Sequence, residues 1–329
     1  MKICFFCKIK DRKLLDTVEF YKQDIDILRT IDPDLTIATN YSEIDWKADV
    51  IFIWWWTYAL YPTLIAKMKG KKTYITGTYN YKCPEADRDY FRRPYWQRIL
   101  LKLATKLTDK NIFVSKLEYE QIEKDWKLKN IVYSPHSIDT EKYSPSPCRT
   151  NDFLFTICWM EKENIKRKCI IETIDAIRLV TNKHPEIKLY IAGHKGDASE
   201  YIKDYIIKQN LHNNIFLIGE ISPEEKIKYL RNCKIYLQPS RYEGFGLAIA
   251  EALSCGAPVI TTAVGEVPVV VDNVAILVTP EPSNIATAIE ILLNQDTSLL
   301  NKKSRERIEK NFPLSRREKE IKNILKQRQ

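Results

Sequence analysis

Short apolar runs alternate with longer amphipathic segments along the chain. The apolar runs predict strands at 2–7, 35–38, 50–54, 73–76, 112–114, 131–133, 153–158, 188–192, 215–218, 235–238, 258–261 and 275–278. The amphipathic segments predict helices, most clearly at 95–107, 116–126, 169–181, 198–210, 223–232, 247–255 and 283–293. Strands of this length, separated by helices, indicate repeated βαβ units and therefore parallel sheets.

The alternation is interrupted once, by the polar stretch SPHSIDTEKYSPSPCRTND, which contains three prolines and is typical of a linker. A length of 329 residues also favours two domains. We therefore predict an α/β fold with two Rossmann-like, doubly wound domains that face a cleft, over 1–146 and 147–312. The segment 313–329 is predicted to be a charged helix that packs back on the first domain, with an apolar stripe at Ile321, Ile324 and Leu325.

Composition narrows the possible partners without choosing among them. A hydrophobic fraction of 44% excludes a mainly disordered chain. The net charge of +9 suits nucleotides, phosphates, anionic membranes or nucleic acid. No apolar run is long enough to cross a bilayer, no signal peptide is evident, and eight cysteines are scattered, so we expect a reduced, cytoplasmic protein. Cys4 and Cys7 form a CxxC that is either a metal or redox site or two small residues of a buried strand.

The stretch PSRYEGFGLAIAEALSCGAPVI carries the most chemical information in the chain. It predicts a strand, a glycine loop and a helix, and the start of a helix offers unpaired N–H groups and partial positive charge to a phosphate. Gly244 and Gly246 allow a ligand to approach the backbone closely.

Two glutamates flank this predicted phosphate site. Glu251 lies about 7–8 Å along the helix, where a carboxylate can accept hydrogen bonds from both hydroxyls of a ribose. Glu243, in the loop, then faces the group that is bonded to the other end of the diphosphate. A second sugar ring fits that position. The alternative is that both are solvated charges, but the apolar neighbours Ala250, Ala252 and Leu253 leave little polar face for Glu251.

These residues also resemble a known family. The segment GEISPEEKIKYLRNCKIYLQPSRYEGFGLAIAEALSCGAPVITT is similar to the donor-binding region of the family-four retaining glycosyltransferases, which have the GT-B fold. Glu243 and Glu251 match the family's E-x7-E pair. The elements DKNIFVSK, SPHSIDTEKYSP and GEVPVVVDNVAILVTPEP resemble further parts of the pattern, whereas the first hundred residues resemble it weakly.

The resemblance implies roles for individual residues of the second domain. Glu251 would bind the nucleotide ribose, Glu243 the hydroxyls of the donor sugar, and the backbone of the glycine loop the phosphates or the sugar. The donor-binding loop consists of Gly244, Phe245, Gly246 and Leu247. Basic residues after the first strand of the domain would neutralise the leaving diphosphate; in CWMEKENIKRKC these are Lys162 and Lys168, with Arg167 as a neighbouring candidate.

The resulting expectation is a retaining hexosyltransferase that uses a UDP- or GDP-linked sugar without a metal ion or a cofactor. Glu243, Lys162 and Lys168 are its candidate catalytic residues. The basic segment KENIKRK has a second interpretation, a solvated turn. Val269 stands where the family commonly has a glutamate, with Glu266 nearby.

The N-terminal half departs from the family. The predicted first strand lacks the family's glycine pair, and the usual catalytic histidine is replaced by Thr78, Tyr79 and Asn80. We assign Thr78, Tyr79 and Trp56 to the acceptor side. The aromatic residues Trp54–Trp56 and Tyr58 lie at the end of a predicted strand, where their faces either stack on sugar rings or, for tryptophans that point inward, pack in the core. His136 stands in the linker where the family usually has Asn, and we interpret it as structural.

A basic amphipathic helix is predicted at 95–107. Arg98, Lys102, Lys106 and Lys110 recur every fourth residue, beside an apolar stripe. Two interpretations stay open: peripheral association with an anionic membrane through 95–110, at the inner face of the membrane, or a surface helix that packs the stripe Ile99, Leu103 and Leu107 on the first sheet.

Other functions compete with sugar transfer. The acceptor can be a glycan, a lipid-linked sugar or a protein. A catalytically inactive nucleotide-sugar-binding protein would explain the departures in the N-terminal half. A basic nucleic-acid-binding protein would explain the charge but not the glutamate pair, because carboxylates repel phosphates; no nucleic-acid partner is therefore expected. A nucleotide-sugar epimerase would need catalytic acids and bases that the first domain does not offer.

Overall fold

The chain forms two compact units in the computed structural model, which describes residues 1–84, 89–147 and 152–326. The first unit comprises Met1–His136 together with Ser315–Gln329, and the second comprises Ser137–Leu314. The units thus divide after His136, somewhat before the predicted boundary at 146/147. The roles assigned to the two predicted domains stay predictions.

The first unit is built on a six-stranded parallel sheet. Its strands are β1 (Ile3–Cys7), β2 (Thr36–Ala38), β3 (Val50–Trp54), β4 (Lys72–Gly77), β5 (Lys110–Phe113) and β6 (Ile131–Tyr133). Its helices are α1 (Leu14–Thr17), α2 (Glu19–Arg29), α3 (Leu60–Met68), α4 (Tyr95–Leu107) and α5 (Lys116–Trp126). The strand order is β2-β1-β3-β4-β5-β6. Every residue of β1 and β3 is buried, as expected for central strands of a parallel sheet covered on both faces.

The second unit has a parallel sheet of the same size. Its strands are β7 (Leu154–Ile157), β8 (Leu189–Ala192), β9 (Ile215–Gly219), β10 (Ile235–Gln238), β11 (Val259–Thr261) and β12 (Ile276–Leu277). Its helices are α6 (Lys162–Arg167), α7 (Ile170–Val180), α8 (Ser199–Lys208), α9 (Pro223–Asn232), α10 (Leu247–Ser254), α11 (Val267–Val271), α12 (Pro282–Leu293) and α13 (Ser298–Asn311). The strand order is β12-β11-β10-β7-β8-β9.

Both sheets are doubly wound, which confirms the predicted fold class. The strand order reverses between β1 and β3 in the first unit and between β7 and β10 in the second. At such a switch point the connections leave toward opposite faces and open a crevice beyond the carboxyl ends of the strands, where ligands bind. The two switch points are therefore the expected locations of ligand sites.

The last helix, α14 (Leu314–Lys326), belongs to the first unit from Ser315 onward. The predicted stripe Ile321, Ile324 and Leu325 is buried. Arg317 is also fully buried, and its guanidinium donates to both carboxylate oxygens of Asp24 at 2.7 and 2.9 Å.

Two sequence features find structural explanations here. Cys4 and Cys7 both lie in the buried strand β1, which favours their interpretation as small core residues, and burial raises the pKa of Cys7 to about 12. In the part of the chain that the structure describes, no helix is long and apolar enough to cross a membrane.

Candidate active site

The switch point of the second unit gathers most of the predicted donor-site residues. Arg167 ends helix α6 and Lys168 follows it, after strand β7. Glu243 lies in the loop after strand β10, which pairs with β7. Because parallel strands end at the same edge of a sheet, these side chains meet although they are far apart in sequence.

The Glu243 carboxylate is held by three donors that converge on one oxygen, Oε1. Arg167 Nη1 lies 3.0 Å from it, Gln238 Nε2 2.8 Å and Ser240 Oγ 2.8 Å. The Glu243 side chain is 11% exposed. Three donors on one oxygen fix the orientation of the carboxylate before any ligand arrives.

Charge governs the protonation of this carboxylate. Burial by itself raises the pKa of Glu243, but the positive charges of Arg167 and Lys168, and the Ser240 hydrogen bond, outweigh burial, so the pKa is lowered below its usual value. The group is therefore an anion at neutral pH.

Lys168 anchors the other side of the cluster. Its ammonium donates to the carbonyl oxygen of Ile157 at 2.9 Å and to Gln238 Oε1 at 3.2 Å. Burial lowers the pKa of Lys168, and the negative charge of Glu243 partly offsets this. Tyr236 also donates to Gln238 Oε1, at 2.6 Å, so the Gln238 amide links Lys168 to Glu243.

Glu251 is buried in helix α10 and is ion-paired. Lys226 Nζ, from helix α9, lies 2.8 Å from Glu251 Oε1, and the carboxylate side chain is 3% exposed. The same ammonium lies over the ring of Tyr143, 5.1 Å from its centre. A hydroxyl-bearing ligand would thus meet a carboxylate already oriented by a lysine.

The loop before helix α10 has the backbone geometry of an anion site. Gly246 is the N-cap residue with φ 83°, and among the residues that the structure describes no side chain caps the helix start. Leu247 is the first helical residue. The Phe245 side chain is 3% exposed, and the centre of its ring lies 5.4 Å from that of Phe312. Because the ring is packed in the core, the backbone of Phe245 is the part that can contact a donor.

A second glycine fixes the position of the Glu243 backbone. A Cβ at Gly265, where φ is +54°, would lie 1.7 Å from the carbonyl oxygen of Glu243. The chain segment 262–267 can therefore approach the loop only with glycine at this position. Next to it, Glu266 is fully buried and Val269 is exposed, so Glu266, not Val269, lies inside the second unit.

Lys162 is placed differently from the other predicted basic residues. It is the first residue of helix α6 and is exposed, and its backbone N–H donates to Asp197 Oδ1 at 2.9 Å. The basic segment forms a short helix, not a turn, and it is Arg167 at its end that contacts Glu243. Arg167 is thus a basic residue that contacts this carboxylate, and the predicted role of Lys162 at the diphosphate stays a prediction.

On the acceptor side, two of the three predicted residues are core side chains. Trp56 is 3% exposed, donates to Asn111 Oδ1 at 2.8 Å and stacks on Phe113. Tyr79 is equally buried, and its ring lies 5.1 Å from that of Trp56. The aromatic faces of both residues pack against protein, which favours core packing over stacking on a sugar. Thr78 is half-buried, and its role stays a prediction.

The switch point of the first unit offers a different aromatic residue. Trp55 follows strand β3, is half-buried and has φ 79°, a conformation rare for a bulky residue. Its indole donates to the Tyr21 hydroxyl at 2.6 Å. Lys8, which follows strand β1, bonds the side chain of Asn40.

The donor-site cluster contains one carboxylate among cations and amides, which is not a set of metal ligands. Within residues 1–84, 89–147 and 152–326 there is no group of three or more His, Cys, Asp or Glu side chains arranged to hold a metal ion.

Two six-stranded parallel sheets, each with its own switch point, define the GT-B fold. A solved structure from Anabaena, HepE in complex with UDP and glucose, is similar over its whole length: it superposes with a TM-score of 0.80 over 99% of both chains at 14% identity.

The sequence similarities are concentrated in the second unit. Residues 162–313 match the family model described as Glycosyl transferases group 1. A phosphatidylinositol N-acetylglucosaminyltransferase subunit of Arabidopsis thaliana is 27% identical over 157 residues, 47% of this chain and 35% of that protein. The poly(glycerol-phosphate) alpha-glucosyltransferase of Bacillus subtilis is 32% identical over 148 residues, 43% of this chain and 21% of that protein. The matched part is thus about a third or less of these relatives. Residues 162–313 are therefore similar to glycosyltransferases of group 1, and the match covers less than half of the chain.

Proposed function

We propose that this protein transfers a sugar from a nucleotide diphospho-sugar, linked to UDP or GDP, to an acceptor with retention of anomeric configuration and without a metal ion. The observation that carries the proposal is the cluster of Glu243, Arg167 and Lys168 at the switch point of the second unit. This cluster lies where doubly wound sheets bind ligands, and the glycine loop and the start of helix α10 follow Glu243 directly.

The chemistry required is the stabilisation of a leaving diphosphate. Cleavage of the bond between the anomeric carbon and the phosphate oxygen leaves negative charge on the phosphate. Arg167, Lys168 and the N–H groups at the start of helix α10 provide fixed positive potential for that charge. Preorganised electrostatics of this kind usually contributes more to catalysis than any other single effect.

The two glutamates take different parts of the donor. Glu251 binds the ribose hydroxyls, and Glu243 binds hydroxyls of the sugar to be transferred. Both carboxylates are oriented by basic residues, Lys226 and Arg167 respectively. Lys162, exposed at the start of helix α6, is available to reach the phosphates from solvent. These roles follow the E-x7-E pattern of family-four retaining hexosyltransferases, which the chain resembles.

For the acceptor, we propose a glycan, a lipid-linked sugar or a protein. Two of the relatives are named for phosphate-bearing acceptors, phosphatidylinositol and poly(glycerol-phosphate). The net charge of +9 is favourable for an anionic acceptor of that kind.

The first experiment measures thermal shifts and nucleotide release with a panel of UDP-, GDP- and ADP-sugars, without added metal. We expect one donor to stabilise the wild type, because a ligand at a hundred times its Kd contributes about 2.7 kcal/mol. Glu251→Ala should lose this stabilisation, measured relative to the same variant without donor.

A matched variant separates ribose binding from the ion pair. Lys226→Met breaks the same Lys226–Glu251 contact but keeps the carboxylate, so it should retain the donor shift. Equal loss in both variants would mean that Glu251 only holds helix α9 against α10. A donor shift without nucleotide release, with any acceptor or with water, would indicate an inactive nucleotide-sugar-binding protein.

A further inference from the structure

Helix α4 has two apolar faces, and only one of them is used by the core. Leu101, Ala104 and Thr105 are buried in the first unit. The opposite face carries an apolar stripe with helical i, i+3, i+4, i+7 spacing, and it is exposed to solvent: Trp96, Ile99, Leu100 and Leu103. Trp96 is 60% exposed. Of the predicted core stripe, Ile99 and Leu103 are thus turned away from the sheet.

The neighbouring helix repeats the pattern. Helix α3 packs against α4, and it exposes Tyr61, Leu64 and Met68 at i, i+3 and i+7; Met68 is 81% exposed. Single exposed apolar residues are normal on a protein surface. Two adjacent helices that both expose an apolar stripe form a larger apolar surface, which is typical of an interaction site.

Within the two segments that carry these stripes, all the charged side chains are positive. Neither 60–72 nor 90–108 contains an Asp or a Glu. Arg98, Lys102 and Lys106 recur every fourth residue along one side of the α4 stripe, and Lys67 and Lys69 close helix α3. An apolar stripe bordered by cations, with an indole among its exposed residues, is the pattern of a helix that lies in the headgroup region of a membrane.

We propose that the exposed faces of α3 and α4, the α3–α4 surface, bind an anionic lipid membrane. The charge distribution selects this occupant over a second copy of the chain, because a two-fold interface would bring the cations of one copy against those of the other. The inference does not depend on the proposed sugar transfer, because lipid binding is measured without donor or acceptor.

The test is co-sedimentation of the full chain with vesicles of phosphatidylcholine alone or with phosphatidylglycerol. We expect binding only to the anionic vesicles, and weaker binding at high salt. The stripe variant, which combines Trp96→Ser, Leu100→Ser and Leu103→Ser, should abolish vesicle binding. The double variant Lys67→Glu and Lys106→Glu should weaken vesicle binding by more than about tenfold. These side chains are exposed, so the fold should be retained, as checked by thermal unfolding.

Helix α8 of the second unit supplies matched controls. Tyr201 and Ile207 are exposed there to a similar extent, and Lys208 is exposed beside them. Tyr201→Ser/Ile207→Ser and Lys208→Glu should bind vesicles as the wild type does. Absence of binding to anionic vesicles, or equal binding by the stripe variant, would overturn the proposal. So would a dimer in light scattering that the stripe variant dissociates while vesicle binding is unchanged.

Discussion

Glu243 keeps a negative charge in a place from which water is largely excluded, and it does so because two cations and two neutral donors surround it. Arg167, Gln238 and Ser240 all donate to the same oxygen, and the pKa of the carboxyl is held below its usual range. A carboxylate that is ionised and oriented in advance can distinguish sugar hydroxyls without reorganising at the moment of reaction.

Glu243→Gln tests this role, since it removes the charge but keeps the shape. We expect turnover of the donor sugar to fall by about a hundredfold. The Kd of the free nucleotide, measured by calorimetry, should change little, because Glu243 is proposed to contact the sugar and not the nucleotide.

Glu172→Gln is the control for this substitution. Glu172 is also paired to an arginine, Arg241, at 2.6 Å, but on helix α7. Its loss should leave turnover and nucleotide affinity within about twofold of the wild type, as is usual for ion pairs near the surface. A parallel loss of turnover and nucleotide affinity in Glu243→Gln would instead mean that Glu243 only supports the loop.

At this scale the sequence predicted motif residues better than their partners. Glu243, Glu251 and Lys168 stand at positions of a recognisable pattern. Gln238 and Lys226 do not stand at such positions. An amide at the end of a strand, or a lysine on an amphipathic helix, gives no sign in the sequence that it will contact a distant carboxylate. Trp56 and Tyr79 were assigned to the acceptor side, but both side chains lie in the core, because an aromatic residue near the end of a strand packs inward as readily as outward.

Periodicity predicted the elements closely where strands and helices have clear boundaries. Strands β3, β6 and β10 and helices α4, α5 and α9 begin and end at the predicted residues. The face that α4 buries was less predictable. Its core face uses the small residues Ala104 and Thr105 with Leu101, so the more conspicuous stripe around Leu103 is left outside.

The anchoring of helix α14 is a contact that no local pattern reveals. Arg317 and Asp24 are 293 positions apart in the sequence. The guanidinium also donates to the carbonyl oxygens of Ser134 and Pro135, and Trp54 Nε1 donates to Asp24. Both members of this buried pair thus have further hydrogen bonds, and together these hold α14 against the first unit.

Removing only the cation of this buried pair should lower the free energy of unfolding substantially. Arg317→Met leaves the Asp24 carboxylate buried without its cation, and we expect a loss of about 3–5 kcal/mol in the free energy of unfolding. Adding Asp24→Asn should recover part of this loss, because the amide removes the uncompensated charge and still accepts from Trp54. Urea unfolding measures both variants.

The control is a half-buried ion pair at the surface of the same helix. Lys322 and Glu318 lie 2.6 Å apart, four residues from one another. Lys322→Met should cost less than about 0.5 kcal/mol. If Arg317→Met were equally mild, the buried pair would contribute little to the docking of α14, and the apolar stripe alone would account for it.

On the scale of the whole molecule, alternation of strands and helices along 329 residues was enough to predict two doubly wound sheets. Their strand orders differ, however, and this was not predictable, because the order depends on which face of the sheet each connection covers. The position of the division after His136 was not predictable either, because the polar stretch that contains it runs on to residue 152 and only tertiary contacts divide it.

The pH dependence of stability is a property of the whole chain, and one group should dominate it in mild acid. His136 is buried, and its ring is stacked on that of Trp54 with the ring centres 5.9 Å apart. The buried Arg317–Asp24 pair lies nearby. Burial, and then the charge of Arg317, lower the pKa of His136 well below its usual value. The unfolded chain therefore takes up a proton near pH 6.5 that the folded chain does not, so stability is lost as the pH falls through this range.

We expect the free energy of unfolding to decrease between about pH 7 and 5, with a slope approaching about 1.4 kcal/mol per pH unit from this one group. Glu243 acts in the same direction but at lower pH, because its pKa is lowered from a value near 4.5. His136→Asn should flatten the slope in the mild-acid range, whereas His212→Asn, an exposed position, should leave it unchanged. If both variants kept the slope of the wild type in urea unfolding, the His136 ring would be protonated within the fold, and the acid sensitivity would have to come from the carboxylates.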